Sequence, residues 1–86
     1  MDFEDIVRRK LKEILSGEIT PRKMPGSTTE LAALALILDH PPGLTSLNSD
    51  GCWRYLRDQD IVLVRQLRAE FQDEIIDWEA TAKVDE

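Results

Sequence analysis

The chain has 86 residues, of which 42% are hydrophobic and 33% charged, and its net charge is −6 at pH 7. This length suits one domain, and the composition is too apolar for a disordered chain. The longest apolar run is eight residues, far short of the roughly 20 that cross a bilayer. A single cysteine excludes an intrachain disulfide framework, and the acidic start lacks the basic segment of a secretory signal. We therefore expect one cytoplasmic domain, residues 1–86, without a membrane partner.

The first predicted helix covers residues 2–16. Asp2 is its expected N-cap, and Gly17 is its expected C-terminal glycine. Acidic residues open the helix and basic residues follow them, as the helix dipole favours. Apolar residues recur at spacings of three and four, which places them on one buried stripe. They are Phe3, Ile6, Val7, Leu11, Ile14 and Leu15.

The second predicted helix is apolar on every side. Residues 17–27 contain two prolines and two glycines, which predicts a long loop. Ser27 and Glu30 then match a capping box that opens a helix over 28–40. Residues 31–38, Leu-Ala-Ala-Leu-Ala-Leu-Ile-Leu, have no polar side chain among them. Because a helix of this kind has to be buried all round, we predict that it lies at the centre of the fold.

Two further helices are predicted after a connector over residues 41–50. A short helix covers 51–57, and a longer one covers 60–82, where the apolar pattern begins again in a new phase. The tail, 83–86, is expected to fray. The sequence therefore predicts an all-α, small four-helix domain around the apolar helix. We expect its most buried side chains to include Leu11, Leu34, Leu38, Trp53, Leu67 and Phe71.

Catalytic and metal sites are not indicated. His40 and Cys52 are the only residues of their kinds, and a Cys–His nucleophilic pair would need both. A structural role explains them better, because His40 falls where a helix end favours a cation and Cys52 suits packing beside Trp53. The position of Cys52 at a helix start would lower its thiol pKa. One cysteine and one histidine cannot supply four zinc ligands. We predict no catalytic residues, metal or cofactor.

The last helix carries carboxylates at helical spacings of three and four, which form an acidic ridge opposite the apolar face. Such a ridge is either a solvated surface or a binding surface for a basic protein. A tryptophan follows it directly, and tryptophan is enriched at binding hot spots. The first candidate partner-binding residues are therefore Glu70, Asp73, Glu74, Asp77 and Trp78. The second candidate is the first loop, since long ordered loops often carry function; its residues are Arg22, Lys23 and Met24.

Nucleic-acid binding is disfavoured by the net charge of −6. The connector before the helix 51–57 is about ten residues long, whereas the turn of a helix-turn-helix takes three or four. Arg9 has Asp5 and Glu13 at helical spacing, which indicates a self-compensated basic face on the first helix. The basic cluster that a nucleic acid would contact consists of Arg8, Arg9, Lys10 and Lys12, extended by Arg22 and Lys23.

The leading hypothesis is a small, acidic, non-enzymatic protein–protein interaction module. It would act as an accessory regulator or inhibitor that occupies a surface of a partner protein. In a sharper form of this hypothesis, the carboxylates imitate phosphates, and the partner's surface is a basic one that normally binds nucleic acid. Carboxylates at i and i+4 lie about 5–6 Å apart at Cβ, which is close to the spacing of charges along a nucleic-acid strand. The alternatives are a nucleic-acid-binding adaptor that uses the basic cluster and an assembly or chaperone protein of the kind found in phages and mobile elements.

Self-association is also predicted. The chain has few residues with which to cover both the apolar helix and the Ile75–Trp78 end of the last helix. A two-fold homodimer through either surface would cover it, and such dimers are the commonest oligomers.

Overall fold

The computed structural model describes residues 2–39 and 43–85, the last four of them as backbone only. In this part of the chain the structure is all-helical, without a β-strand, as predicted. A short 3₁₀ helix, Pro21–Lys23, interrupts the first loop. The five α-helices are α1 (Phe3–Leu15), α2 (Thr28–Ile37), α3 (Ser49–Tyr55), α4 (Asp58–Glu70) and α5 (Gln72–Asp85).

The prediction of four helices is wrong, because the segment predicted as one helix over 60–82 forms both α4 and α5. The chain leaves helical geometry at Phe71, where φ is −105° and ψ is 20°. A straight helix from 58 to 85 would be about 42 Å long at 1.5 Å per residue, whereas the longest dimension of the molecule is 34 Å. The break lets α5 contact α1 as well as α4. The helix α5 ends at Asp85, three residues beyond the predicted helix end at 82.

The capping box that opens α2 is confirmed. The backbone N–H of Glu30 donates to Ser27 Oγ at 3.2 Å, and the N–H of Ser27 donates to Glu30 Oε1 at 3.4 Å. The helix ends at Ile37 instead of 40, and Asp39 follows in the left-handed region with φ of 61°. Every residue from 32 to 38 is buried, and α2 contacts α1, α3 and α4.

The core confirms part of the predicted set of buried side chains. Leu11, Leu34, Leu38 and Leu67 are at most 1% exposed. The two aromatic residues predicted with them, Trp53 and Phe71, are only partly buried and pack against the edge of the core. Aromatic side chains are large, so in a domain of this size they reach the surface even when most of the ring is covered.

The loop between α1 and α2 is tied to the rest of the fold. Gly17 adopts φ of 86° directly after α1, as expected of a C-terminal glycine. Met24 is 6% exposed and belongs to the core. The connector between α2 and α3 passes close to this loop at Gly43. A Cβ atom at Gly43 would lie 2.3 Å from Arg22 Cγ. Only a glycine at 43 therefore allows the two connectors to approach this closely.

Candidate partner-binding surface

The exposed carboxylates of α5 lie at its start. Asp73 and Glu74 occupy the first turn, and Asp77 follows one turn after Asp73. All three side chains are exposed, and none forms an ion pair with the described cations. The positive end of the helix dipole stabilises carboxylates in a first turn, which gives Asp73 and Glu74 a structural role as well.

Glu70 does not belong to this surface. It is the last residue of α4, on the other side of the break at Phe71. Its carboxylate forms an ion pair with Arg8 of α1, and Arg8 also lies 6.0 Å above the centre of the Phe71 ring. The bond to Glu70 raises the pKa of Arg8. The predicted ridge therefore reduces to the three carboxylates of α5, since the fourth joins α4 to α1.

The predicted hydrophobic member of the site, Trp78, is half-buried and packs against the core. Its neighbour on α5, Ile76, is instead 56% exposed. Ile75 and Ile76 are successive residues, so their side chains lie about 100° apart around α5. Ile75 is the buried one, at 8% exposure.

Beside Ile76 the surface forms a groove of about 260 Å³. It lies between the end of α2, the end of α4 and the first turns of α5. Arg68 contributes its cation to this groove, but forms no ion pair with a carboxylate of the described side chains. The lining residues are Ile37, Asp39, Arg68, Gln72, Ile75, Ile76 and Glu79.

The three residues of the second predicted site, in the first loop, differ in their exposure to solvent. Arg22 and Lys23 are exposed, but Met24 is buried and has no surface to offer a partner. A lone methionine among prolines and charged residues gives no periodic pattern, so nothing in the local sequence marks it as a core residue.

The basic cluster of α1 is largely paired within the chain. Lys10 Nζ donates to Glu30 Oε1 at 2.6 Å and to the carbonyl of Pro25 at 2.7 Å. The side chains of Lys10 and Glu30 are only 11% and 18% exposed, and Lys10 lowers the pKa of Glu30. Arg9 is 4.0 Å from Glu13. With Arg8 bound to Glu70, only Lys12 of this cluster makes no ion pair with a described carboxylate.

Cys52 is fully buried, and burial raises its thiol pKa. The prediction of a lowered pKa is therefore wrong, because desolvation outweighs the short helix α3. Its Sγ lies 4.0 Å from the carbonyl oxygen of Leu47. His40, the other half of the hypothetical nucleophilic pair, lies outside the described residues. Among those that are described, no three potential metal ligands are clustered.

No helix within residues 2–39 and 43–85 combines the length and apolar character needed to cross a membrane. Comparisons of the chain with protein families, with curated proteins and with solved structures found no match.

Proposed function

We propose that this chain is a non-enzymatic interaction module that binds a basic surface of a partner protein through Asp73, Glu74 and Asp77. One observation carries the proposal. These carboxylates are exposed and without a described cation, whereas most basic residues of α1 are bound to carboxylates of their own chain. The net charge of −6 adds a field that attracts basic surfaces over long range.

A regulatory or inhibitory role follows if the basic surface of the partner is the one that the partner uses to bind nucleic acid. Asp73 and Asp77 stand one helical turn apart, so their carboxylates repeat at a spacing similar to that of phosphates. Binding would then weaken as salt is added, because exposed charges are screened over about 10 Å at 0.1 M.

The alternative is a nucleic-acid-binding adaptor. The pairing of Arg8, Arg9 and Lys10 argues against it, because a phosphate would have to compete with existing carboxylate partners. Arg54 of α3 and Arg65 of α4 remain exposed, and so does Arg57, the residue before α4. A gel-shift titration with duplex and single-stranded DNA separates the two functions: we expect no shift at physiological salt.

The direct test is affinity capture from the source cells with the full chain and two charge-reversed variants. Asp73→Lys/Asp77→Lys removes the proposed contact. Asp5→Lys/Glu18→Lys is the matched control, since both of its residues are exposed and Asp5 also lies in a first turn. Each reversal adds two charges, so either double variant has a net charge of −2 instead of −6.

We expect a protein that is captured by the wild type and by the control, but not by Asp73→Lys/Asp77→Lys, and that binds the purified chain with the same preference. The free energy of unfolding of Asp73→Lys/Asp77→Lys, measured by thermal denaturation, should stay within about 1 kcal/mol of the wild-type value, as for other substitutions of surface charges. Equal capture by both variants would exclude α5 as the contact, and a DNA shift would favour the adaptor.

A further inference from the structure

The break between α4 and α5 occupies a single residue, Phe71. Connections between packed helices usually take about two to eight residues, so this one is unusually short. Residues 68–74, Arg-Ala-Glu-Phe-Gln-Asp-Glu, contain no proline or glycine, and most of them favour helices. Two conformations are therefore open to this segment: the bend of this structure, and one continuous helix.

The apolar pattern keeps its phase across the break. At about 100° per residue, six apolar side chains spaced by three or four positions fall within about 120° of one continuous helix. They are Ile61, Val64, Leu67, Phe71, Ile75 and Trp78. The sequence therefore suits a single amphipathic helix over α4 and α5 as well as it suits two helices.

The bend interrupts the backbone hydrogen bonds of the helix. The Phe71 N–H donates to the Leu67 carbonyl at 2.9 Å, and the Ile75 N–H donates to the Phe71 carbonyl at 2.9 Å. Between these bonds, the N–H groups of residues 72–74 open α5, and the first N–H groups of a helix have no intrahelical acceptor. A continuous helix pairs them with the carbonyls of residues 68–70, so straightening adds up to three hydrogen bonds per chain.

Packing holds the bend in a single chain. Ile75 of α5 is 8% exposed, and Trp78 is half-buried against the core. The bend also brings α5 into contact with α1, which lies at the other end of the sequence. A continuous helix carries Ile75 and Trp78 away from α1 of their own chain and leaves them in water, which costs the free energy of their burial. The continuous form therefore needs another surface to cover these two side chains.

We propose that two copies of this chain exchange α5. In the exchanged dimer, α4 and α5 of each chain form one continuous helix, and α5 packs on α1 of the partner copy. The occupant is a second copy because the surface that receives α5 is present in identical form on every chain, so the exchange regains the contacts that straightening gives up. Another protein would have to reproduce that surface. The exchange goes beyond the proposed function, since it depends on Phe71 and uses none of the exposed carboxylates Asp73, Glu74 and Asp77.

Substitutions at position 71 test the exchange, because this residue is helical in the dimer and non-helical in the monomer. Phe71→Ala and Phe71→Gly both remove the ring, but alanine favours a continuous helix and glycine disfavours it. In sedimentation equilibrium after refolding at a series of concentrations, Phe71→Ala should dimerise about thirtyfold more tightly than Phe71→Gly, since the difference acts at two hinges per dimer. The control is Ala69→Gly, at a position that is helical in both forms, and it should dimerise as the wild type does. Equal dimerisation of the two Phe71 variants, or none in either, would overturn the proposal.

A distance within the chain, measured with Phe71 intact, separates exchange from a dimer through surfaces. Val62 and Ala80 are exposed, and a continuous helix places them about 27 Å apart on the same face, since they are separated by about five turns. Spin labels at Val62→Cys and Ala80→Cys report this distance by pulsed electron paramagnetic resonance, and Cys52 is fully buried from the label. The labelled chain is refolded with an excess of unlabelled wild type, so that only distances within one chain are read.

We expect about 27 Å in the dimer fraction, the length of the continuous helix, and a shorter distance in the monomer fraction, where the chain bends at Phe71. A dimer with the distance of the monomer would overturn the exchange. So would a wild-type chain that stays at 9.9 kDa after refolding at concentrations up to its solubility limit.

Discussion

The two ends of this chain carry nearly the same number of charged residues but use them differently. Residues 1–23 contain 11 and residues 61–86 contain 10. In the first segment, Arg8 and Lys10 bind partners on other helices, and so join α1 to α4 and α2. On α5, Asp73, Glu74 and Asp77 extend into solvent. The first segment uses its charges to fix helix positions, and the last leaves them available to another molecule.

The comparison teaches that composition alone does not show which charged side chains are paired within the chain and which are left in solvent. The N-terminal cluster of basic residues is the more conspicuous in the sequence, yet three of its four cations, those of Arg8, Arg9 and Lys10, are paired with carboxylates of the same chain. The carboxylates of α5 are less conspicuous, because a solvated helix face often contains as many. What separates the two is the presence of partners, and partners depend on the tertiary fold.

The largest expected effect comes from a substitution in α2, the helix that contacts both α1 and α4. Leu34 is fully buried in α2, which contacts α1, α3 and α4. Leu34→Ala should lower the free energy of unfolding by about 2–5 kcal/mol, because it removes buried methyl groups and leaves a cavity. Urea denaturation followed by far-UV circular dichroism measures the loss. A loss below about 0.5 kcal/mol is typical of surface substitutions and would show that α2 is not core.

The second effect distinguishes a bonded cation from a solvated one on the same helix. Lys10→Met should lower the free energy of unfolding by about 1–3 kcal/mol, since it removes the charged donor that Glu30 and the Pro25 carbonyl share. The matched control is Lys12→Met, which makes the same chemical change at an exposed position. There we expect roughly 0.5 kcal/mol, from the lost interaction with the helix C-terminus. Equal losses would mean that the Lys10–Glu30 pair adds nothing.

Gly26→Ala tests the same contact from the side of the loop. A Cβ atom at this position would lie 2.8 Å from Lys10 Nζ and 2.9 Å from Glu30 Oε1. The substitution should therefore displace the pair in the wild-type background and cost little once Lys10→Met has removed it. A double-mutant cycle measures this coupling, and additive losses in the cycle would show that the loop does not depend on the pair.

The Glu30 carboxylate should also make the stability of the fold depend on pH. Lys10 holds the pKa of Glu30 below its ordinary value of 4.5, so the ionised form is favoured in the folded state. The resulting stabilisation is present above the unfolded pKa and is lost as pH falls through the lower folded value. The stability difference between wild type and Lys10→Met should therefore be constant near neutral pH and shrink in acid. Denaturation curves at pH 7, 5 and about 3 measure it, the last lying below the usual range for glutamate.

Sequence reasoning succeeded where the determinants are local. The capping box of Ser27 and Glu30 lies within four residues, and Gly17 marks the end of α1 by its own backbone preference. The pairing of Arg8 with Glu70 spans 62 positions, so no window of sequence contains it. The break at Phe71 was missed because it also depends on a distant contact, that of α5 with α1. No proline or glycine lies near Phe71 to mark it in the sequence.

The end of α2 was missed for a related reason, and it supplies the smallest prediction. Asp39 adopts φ of 61° where helices commonly place glycine, so the sequence lacks the usual signal. Asp39→Gly should raise the free energy of unfolding by about 0.5–1 kcal/mol, because it relieves the left-handed strain of a side-chain-bearing residue. Asp39→Ala is the control and should give no gain, since alanine keeps the Cβ. A gain in the alanine variant as large as in the glycine variant would trace the effect to the lost carboxylate instead of to the backbone.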